Sequence, residues 1–323
     1  MNGLPASASA ALDGLVPQAI WEALRPKIQA TRRFRADALD AEAGCRVTLV
    51  SETGQHTGSF KFRAAMAVAL HAEAPRLLTA SSGNFGAALA AAASATGKAC
   101  TVVMPDRSAA MKIAAVRRNG ATVDLIDTTR ITREARVSAL AAADPLARRC
   151  SPYDDPYVIC GNALLGAEIF ATQSPDAIIA PVGGGGLTSG LCVAAALLQP
   201  GCEVFGAEPS LANDAARSLR EGRLISNDTE SETVCDGART RSLGQRNFAI
   251  LRELLEDIVE VPETQIARAM GLLKTHFGLR VEPTGALGLA AILTDPERFC
   301  NRSVVCVASG GNVDDAIYDR LVP

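Results

Sequence analysis

The stretch AIIAPVGGGGLTSGLCVAAALL, Ala177 to Leu198, sets the architecture. Its opening run, Ala177–Val182, is apolar at successive positions, the pattern of a strand buried on both faces in a parallel sheet. Gly183 to Gly186 come next, and Leu187–Leu198 then reads as an apolar helix. Four successive glycines lose much conformational freedom on folding, and packing alone is not expected to require them. Close approach of backbone N–H groups to a phosphate at a helix N-terminus explains the run, with a flexible loop as the competing reading. The segment lacks the Gly-Lys-Ser/Thr ending of a P-loop. It also lacks the G-x-G-x-x-G pattern with an acidic residue about 20 positions on. A monophosphate is expected, since nothing provides for a pyrophosphate.

Outward from this unit the same alternation recurs. Val47–Ser51, Leu77–Thr79, Cys100–Met104, Thr122–Ile126, Glu203–Ala207 and Ser303–Ala308 read as further strands. Helices are expected over Phe60–His71, Gly86–Thr96, Ala109–Asn119, Thr132–Ala142 and Thr264–Phe277. The fold class is therefore α/β, with two domains, each a twisted and mostly parallel sheet flanked by helices. Turn-rich stretches at Ala72–Arg76 and Cys150–Pro156 place a small domain at residues 75–152, inserted into a larger one of residues 1–74 and 153–323. Functional residues are expected at the carboxyl ends of the strands.

Composition narrows the function classes. Of 323 residues, 48% are hydrophobic and 21% charged, and the net charge is −3, so no basic footprint for nucleic acid exists. No apolar run reaches the roughly 18 residues that span a bilayer, and MNGLPASASA does not read as a secretory signal. Nine scattered cysteines without a C-x-x-C pair suggest reduced, buried thiols in a cytoplasmic protein.

Other segments carry candidate chemistry. In HTGSFKFR (56–63), Ser59 is expected to cap a helix and Lys61 to sit in its first turn between Phe60 and Phe62. Partial burial and a helix N-terminus both lower an amine pKa and favour a Schiff-base lysine; the alternative is a surface lysine lying across two rings. In TASSGNFG (79–86), helix N–H groups with Ser81, Ser82 and Asn84 suit a carboxylate, or form only a capped turn. VASGGNV (307–313) offers Ser309 at a strand end as a partner for a ring nitrogen. In GAEPSLAND (206–214), Glu208 and Asp214 either share a hard cation or are solvated charges.

An amine, an anion-binding turn, a monophosphate cradle and a ring-nitrogen partner together describe pyridoxal phosphate. With GSFKFRAA (58–65), SSGNFGAALA (81–90), GGGGL (183–187), GAEPSLAND (206–214), EPTGALGLAAIL (282–293) and SGGNVDD (309–315), the chain resembles the fold-type II pyridoxal-phosphate enzymes. Within that group it is similar to the serine/threonine dehydratase and serine racemase family, over residues 20–320.

The resemblance implies that Lys61 binds the cofactor aldehyde and later removes the substrate α-proton, while Ser82 handles protons on the opposite face. It implies that Asn84 bonds the cofactor 3′ oxygen, that Ser81 with backbone N–H groups holds the substrate carboxylate, and that Phe85 borders the substrate. Gly183, Gly184, Gly185, Gly186 and Leu187 would cradle the phosphate, Ser309 would face the pyridine nitrogen, and Glu282 would stand nearby. Glu208, the Ala212 carbonyl and Asp214 match a divalent-cation site, for Mg²⁺ or Ca²⁺. The family turn usually reads SSGNHG, so Phe85 replaces a histidine here; Ala64 replaces a glycine, and CGNALLG (160–166) a more polar GQGT-type stretch. The implied activity is α,β-elimination of water from a small β-hydroxy amino acid (serine, threonine or 3-hydroxyaspartate), giving a 2-oxo acid and ammonia. Racemisation, β-replacement and non-catalytic cofactor binding are the alternatives. The implied partners are the amino-acid substrate and a second copy in a homodimer, with no nucleic acid or membrane.

Overall fold

The computed structural model describes residues 3–229 and 231–322. Residues 1 and 323, the outer ends of the expected large domain, lie outside them, as does Asn2 of the N-terminal segment read above. Ten strands are present among the described residues. They are β1 (Arg32–Phe34), β2 (Arg46–Ser51), β3 (Arg76–Ala80), β4 (Ala99–Pro105), β5 (Thr122–Ile126), β6 (Ala147–Arg149), β7 (Ala177–Pro181), β8 (Glu203–Pro209), β9 (Asp257–Val261) and β10 (Ser303–Ala308). They form a six-stranded sheet, β1-β2-β10-β7-β8-β9, and a four-stranded sheet, β5-β4-β3-β6. Only β1 runs antiparallel to its neighbour; every other pairing is parallel. The α/β class holds, and the second sheet is made wholly from residues 76–149.

Every strand expected from the sequence is present. The three that were not expected, β1, β6 and β9, all lie on sheet edges. Edge strands are short and half-solvated, so they lack the continuous apolar run by which β7 is recognised. Of the helices not expected from the sequence, Pro156–Phe170 and Pro283–Thr294 escape notice for the opposite reason. Residues 283–293 are all buried, so no polar face marks a helical period.

Alternate residues of the central strands feed different cores. Ile178, Val305 and Val307 face one apolar cluster, while Ile179, Val304 and Cys306 face another. Both faces of the large sheet are thus covered, as a parallel sheet requires. The first cluster continues without a break into the second sheet's layer through Leu77, Phe85 and Val102.

Helix Pro156–Phe170 packs between helices Lys61–His71 and Gly186–Leu198. A Cβ on its Gly161 would lie 2.8 Å from Ala67 Cβ, and one on Gly190 would lie 2.7 Å from the Ala163 nitrogen. The CGNALLG stretch therefore serves close helix packing, and that packing fixes the Lys61 helix relative to the glycine run. All nine cysteines are free, and all but Cys300 are buried. No described helix is long and apolar enough to cross a membrane.

Candidate active site

The carboxyl ends of β2, β3, β7 and β10 bring the expected residues to one side of the two sheets. The loop after β10 zips onto the segment before Lys61. Ser59 bridges Gly310, the Phe60 N–H donates to the Ser309 carbonyl at 2.9 Å, and the Gly311 N–H donates to Gly58 at 3.0 Å. Gly58 has φ +76°, and a Cβ there would collide with the Asn312 side chain, so only glycine fits. Asn312 donates at 2.8 Å to the Thr57 carbonyl and to Asn84 Oδ1. Asn84 Nδ2 in turn donates to both oxygens of Glu282, at 2.9 and 3.0 Å. One chain of contacts thus ties Lys61, Asn84, Glu282 and Ser309 together.

Lys61 opens helix Lys61–His71, and its Nζ donates to the Pro152 carbonyl at 2.8 Å. The Phe60 and Phe85 rings lie 4.9 and 5.9 Å from Nζ. Burial pushes the Lys61 amine down to about 8, and the Glu282 carboxyl opposes that shift. Glu282 is itself pushed up to about 8 by burial, aided by Asp236 and opposed by Asn84, Lys112 and Lys61. The surface-lysine alternative does not hold.

The expected Ser59 cap does not form. The helix has no side-chain cap, and Ser59 Oγ is buried without a hydrogen-bond partner. Ser309 Oγ is likewise buried and unpartnered.

Behind Lys61 its helix is anchored by Arg63, which is fully buried. Arg63 bonds Glu52 through Nε at 2.7 Å and Nη2 at 2.9 Å, and also reaches Glu168 at 2.8 Å and Thr31 at 2.6 Å. The Glu52 N–H donates to the Ala308 carbonyl at 2.9 Å, so this ion pair ties the Lys61 helix to the strand end that carries Ser309.

The glycine run opens helix Gly186–Leu198, and the N–H groups of residues 183–187 have no acceptor among the described residues. Packing nevertheless demands more of these glycines than the sequence suggests. A Cβ on Gly183 would meet the Gly237 carbonyl at 2.7 Å, one on Gly184 would enter the Tyr153 ring, and one on Gly186 would stand 3.0 Å from the Tyr153 carbonyl. Gly185 adopts φ +92° with Asn247 Cβ 2.8 Å from its would-be Cβ. The expectation that packing does not require the run is therefore corrected: protein neighbours explain all four positions, and the free N–H groups are the part left for an anion.

In the turn after β3, Ser81 is buried and its Oγ accepts the N–H groups of Gly83 at 3.3 Å and Gly86 at 3.1 Å. Ser82 is half-buried and its Oγ accepts from Arg133 Nη1 at 3.3 Å. Phe85 is buried. Glu208, Ala212 and Asp214 stand one strand beyond the glycine run, at the end of β8. Glu208 accepts the N–H groups of Ala215 and Ala216 at 3.0 and 2.9 Å. Burial and the neighbouring Asp214 raise Glu208 well above the usual carboxylate range, and burial pushes Asp214 up to about 7. No group of three or more His, Cys, Asp or Glu side chains suited to a metal occurs among the described residues.

Pro152, Tyr153, Asn247, Asn312 and Arg133 are site residues that sequence reasoning missed. Asp154-Asp155-Pro156 was a usable signal for the first two. Asp155 caps helix Pro156–Phe170, and Asp154 accepts the N–H groups of Gln245 and Arg246. A separate cavity of about 850 Å³, lined in part by Lys27, His56, Met66 and Lys98, includes neither Lys61 nor the glycine run.

The family model "Pyridoxal-phosphate dependent enzyme" matches residues 24–310. The chain belongs to this family. It is 37% identical to the L-threo-3-hydroxyaspartate ammonia-lyase of a Pseudomonas species, over 90% of this chain and 92% of that one. It is 34% identical to the serine racemase of Schizosaccharomyces pombe, over 89% and 90%. Among solved structures, the T.th. threonine deaminase superposes with a TM-score of 0.88 at 39% identity, covering 92% of this chain and 97% of that one.

The site fits the family's cofactor on its own evidence. Free N–H groups at a helix start suit a phosphate, a buried unpartnered serine hydroxyl suits a ring nitrogen, and a lowered lysine suits an aldehyde. In this pyridoxal-phosphate enzyme residues 183–187 would hold the phosphate, Ser309 the ring nitrogen and Lys61 the aldehyde carbon.

Proposed function

We propose that the chain is a pyridoxal-phosphate-dependent ammonia-lyase, a dehydratase that converts a small β-hydroxy amino acid into a 2-oxo acid and ammonia. Serine, threonine and 3-hydroxyaspartate are the substrate types. The observation that carries this reading is the Lys61 amine, lowered to about 8 and held near the Ser309 strand end, in a chain whose relatives include such lyases.

When bound, the cofactor supplies the electron sink that makes the substrate α-hydrogen acidic. Lys61 is close enough to neutrality at pH 7–8 to take that proton, and the Phe60 and Phe85 rings flank its nitrogen. Ser309 would offer the ring nitrogen a neutral hydroxyl rather than a carboxylate, a partner that would suit expulsion of a β-leaving group better than storage of charge. Ser81 supports the turn that would receive the substrate carboxylate, with its oxygen fixing Gly83 and Gly86.

Ammonia and 2-oxo acid released by the holoenzyme from L-serine, L-threonine and L-threo-3-hydroxyaspartate test this reading, and silence on all three overturns it. Racemisation is the second reading, favoured by the half-buried Ser82 hydroxyl in the β3 turn. Chiral analysis of parent and Ser82→Ala products separates the two.

We further propose a cytoplasmic homodimer, divided into a domain of residues 75–152 and one of residues 1–74 and 153–323. The second sheet and the free cysteines support the division and the compartment; the family resemblance supports the dimer, which light scattering tests. Mg²⁺ or Ca²⁺ at Glu208, the Ala212 carbonyl and Asp214 is proposed on the buried, unpartnered Asp214 Oδ2. Calcium-dependent stabilisation that Asp214→Asn removes would support it, and none in the parent would refute it.

A further inference from the structure

Two fully buried asparagines, Asn162 and Asn247, share one pattern of bonds. Asn162, in helix Pro156–Phe170, donates from Nδ2 to the Gly186 carbonyl at 3.0 Å. Asn247, in helix Gln245–Leu254, donates from Nδ2 to the Gly184 carbonyl at 2.6 Å and to the Tyr153 carbonyl at 3.1 Å. In both side chains Oδ1 is buried and has no hydrogen-bond partner among the described residues. A buried amide with an unpaired oxygen is a standing cost, one that a leucine of similar volume would avoid. What the two donors have in common is the glycine run.

A trans peptide is planar, with its C=O and the following N–H pointing in opposite directions. The bond to the Gly184 oxygen therefore turns the Gly185 N–H away from Asn247, and the bond to the Gly186 oxygen turns the Leu187 N–H away from Asn162. Glycine lets such a plane turn over at little cost, and Gly185 already sits at φ +92°. A plane turned over would set a carbonyl oxygen where an N–H stood and so repel an anion. The Gly184 oxygen has a second donor in the Gly244 N–H at 3.1 Å. The helix behind it is itself fixed, because Arg246 bonds the Ala11 carbonyl at 2.8 Å and Asp13 at 2.7 Å. Gly186 already begins a helix, so the 184–185 plane is the freer of the two and depends more on its asparagine.

We infer that Asn162 and Asn247 are positioning residues for the cofactor phosphate: by holding alternate carbonyls of the glycine run, they keep the intervening N–H groups presented to the anion. The inference rests on reading residues 183–187 as the phosphate site. Its consequence is selective. A phosphorylated cofactor gains from the fixed planes, and the same molecule without its phosphate does not.

The test strips cofactor from the full-length protein and measures rebinding of pyridoxal phosphate and of pyridoxal, which lacks the phosphate, by absorbance. Asn247→Leu is expected to weaken pyridoxal phosphate by roughly 10-fold, to leave pyridoxal nearly unchanged, and to shift the phosphorus resonance of the bound cofactor. Asn162→Leu should act in the same direction and less strongly. Asn162→Gln, which keeps an amide donor, should recover part of that preference. Asn247→Asp keeps the shape but replaces the donor by an acceptor, so it should lose more than Asn247→Leu. Equal weakening of both ligands in these variants would mark a merely structural role and overturn the proposal, as would an unaltered preference for the phosphorylated form. A parent that binds both ligands equally would instead sink the reading of the glycine run, and the proposal with it.

Discussion

The two sheets hold their halves of the site in different ways. In the six-stranded sheet β7 is buried at every position and β10 at all but its first, and the helices beside them are buried on nearly every face. In the four-stranded sheet β5 and β6 are largely half-buried or exposed. The outer helices Ala110–Arg118 and Arg133–Ala143 each bury one residue, Val116 and Val137. Lys61, Ser309 and the glycine run therefore belong to a tightly packed body, and Ser82 stays tied to it through the buried helix Asn84–Ala95, whereas Arg133 hangs on a thin layer. Cofactor geometry needs rigid placement, and substrate entry needs the other wall to yield. Hydrogen exchange should match this division, slowest at β7 and β10 and fastest at β5 and β6.

The contrast can be broken at several strengths. The largest effect is expected from Lys61→Ala, which should cost at least ~10³-fold in turnover and remove the absorbance band of covalently held cofactor. Retained turnover would remove Lys61 from its role. Next come the ion pairs. Arg63→Met leaves Glu52 buried without its partner and should destabilise by about 3–5 kcal/mol, read by urea melts. Arg136→Ala, which breaks the more exposed pair with Asp124 in the thin layer, should cost about 1 kcal/mol or less. Equal costs would erase the distinction between the two bodies. Ile179→Ala in the large core should lose ~2–5 kcal/mol, while Leu125→Ala, 40% exposed, should stay within about 0.5 kcal/mol.

The smallest expected effect is in pH. Only the neutral amine attacks an aldehyde, so cofactor loading of the apoprotein should accelerate as pH rises and level off above about 8. Glu282 holds the Lys61 value up, so Glu282→Gln should move the midpoint of that rise downward. An unchanged midpoint would show that the two groups are not coupled.

How much of this was legible depended on how locally each feature is encoded. The Lys61, glycine-run and Ser309 segments are each a strand end joined to the turn beside it, so the sequence places them directly. Asn247 and Arg133 enter through tertiary packing across strands or helices and carry no spacing signal of their own, while Tyr153 is marked only by the helix start that follows it. The glycine run was recognised, but its cause was only half right, because Tyr153 and Asn247 crowd it from segments far away in sequence. Ser59 shows the same limit: a serine before a helix ordinarily caps it, yet burial beside Gly310 takes the hydroxyl out of that role.

The position of β10 bears on how the molecule comes into being. The last strand among the described residues lies between β2 and β7, with partners on both sides. During synthesis the four-stranded sheet has all its strands once residue 149 has emerged, long before β10 exists. The large sheet must keep a gap between β2 and β7 until the strand ending at Ala308 inserts, a pairing of high contact order. Ser309 arrives with that strand, so a nascent chain already carrying Lys61 and the glycine run still lacks the ring-nitrogen partner. The ability to capture cofactor in its final geometry is thus delayed until residue 309 has followed every other strand of the sheet into place.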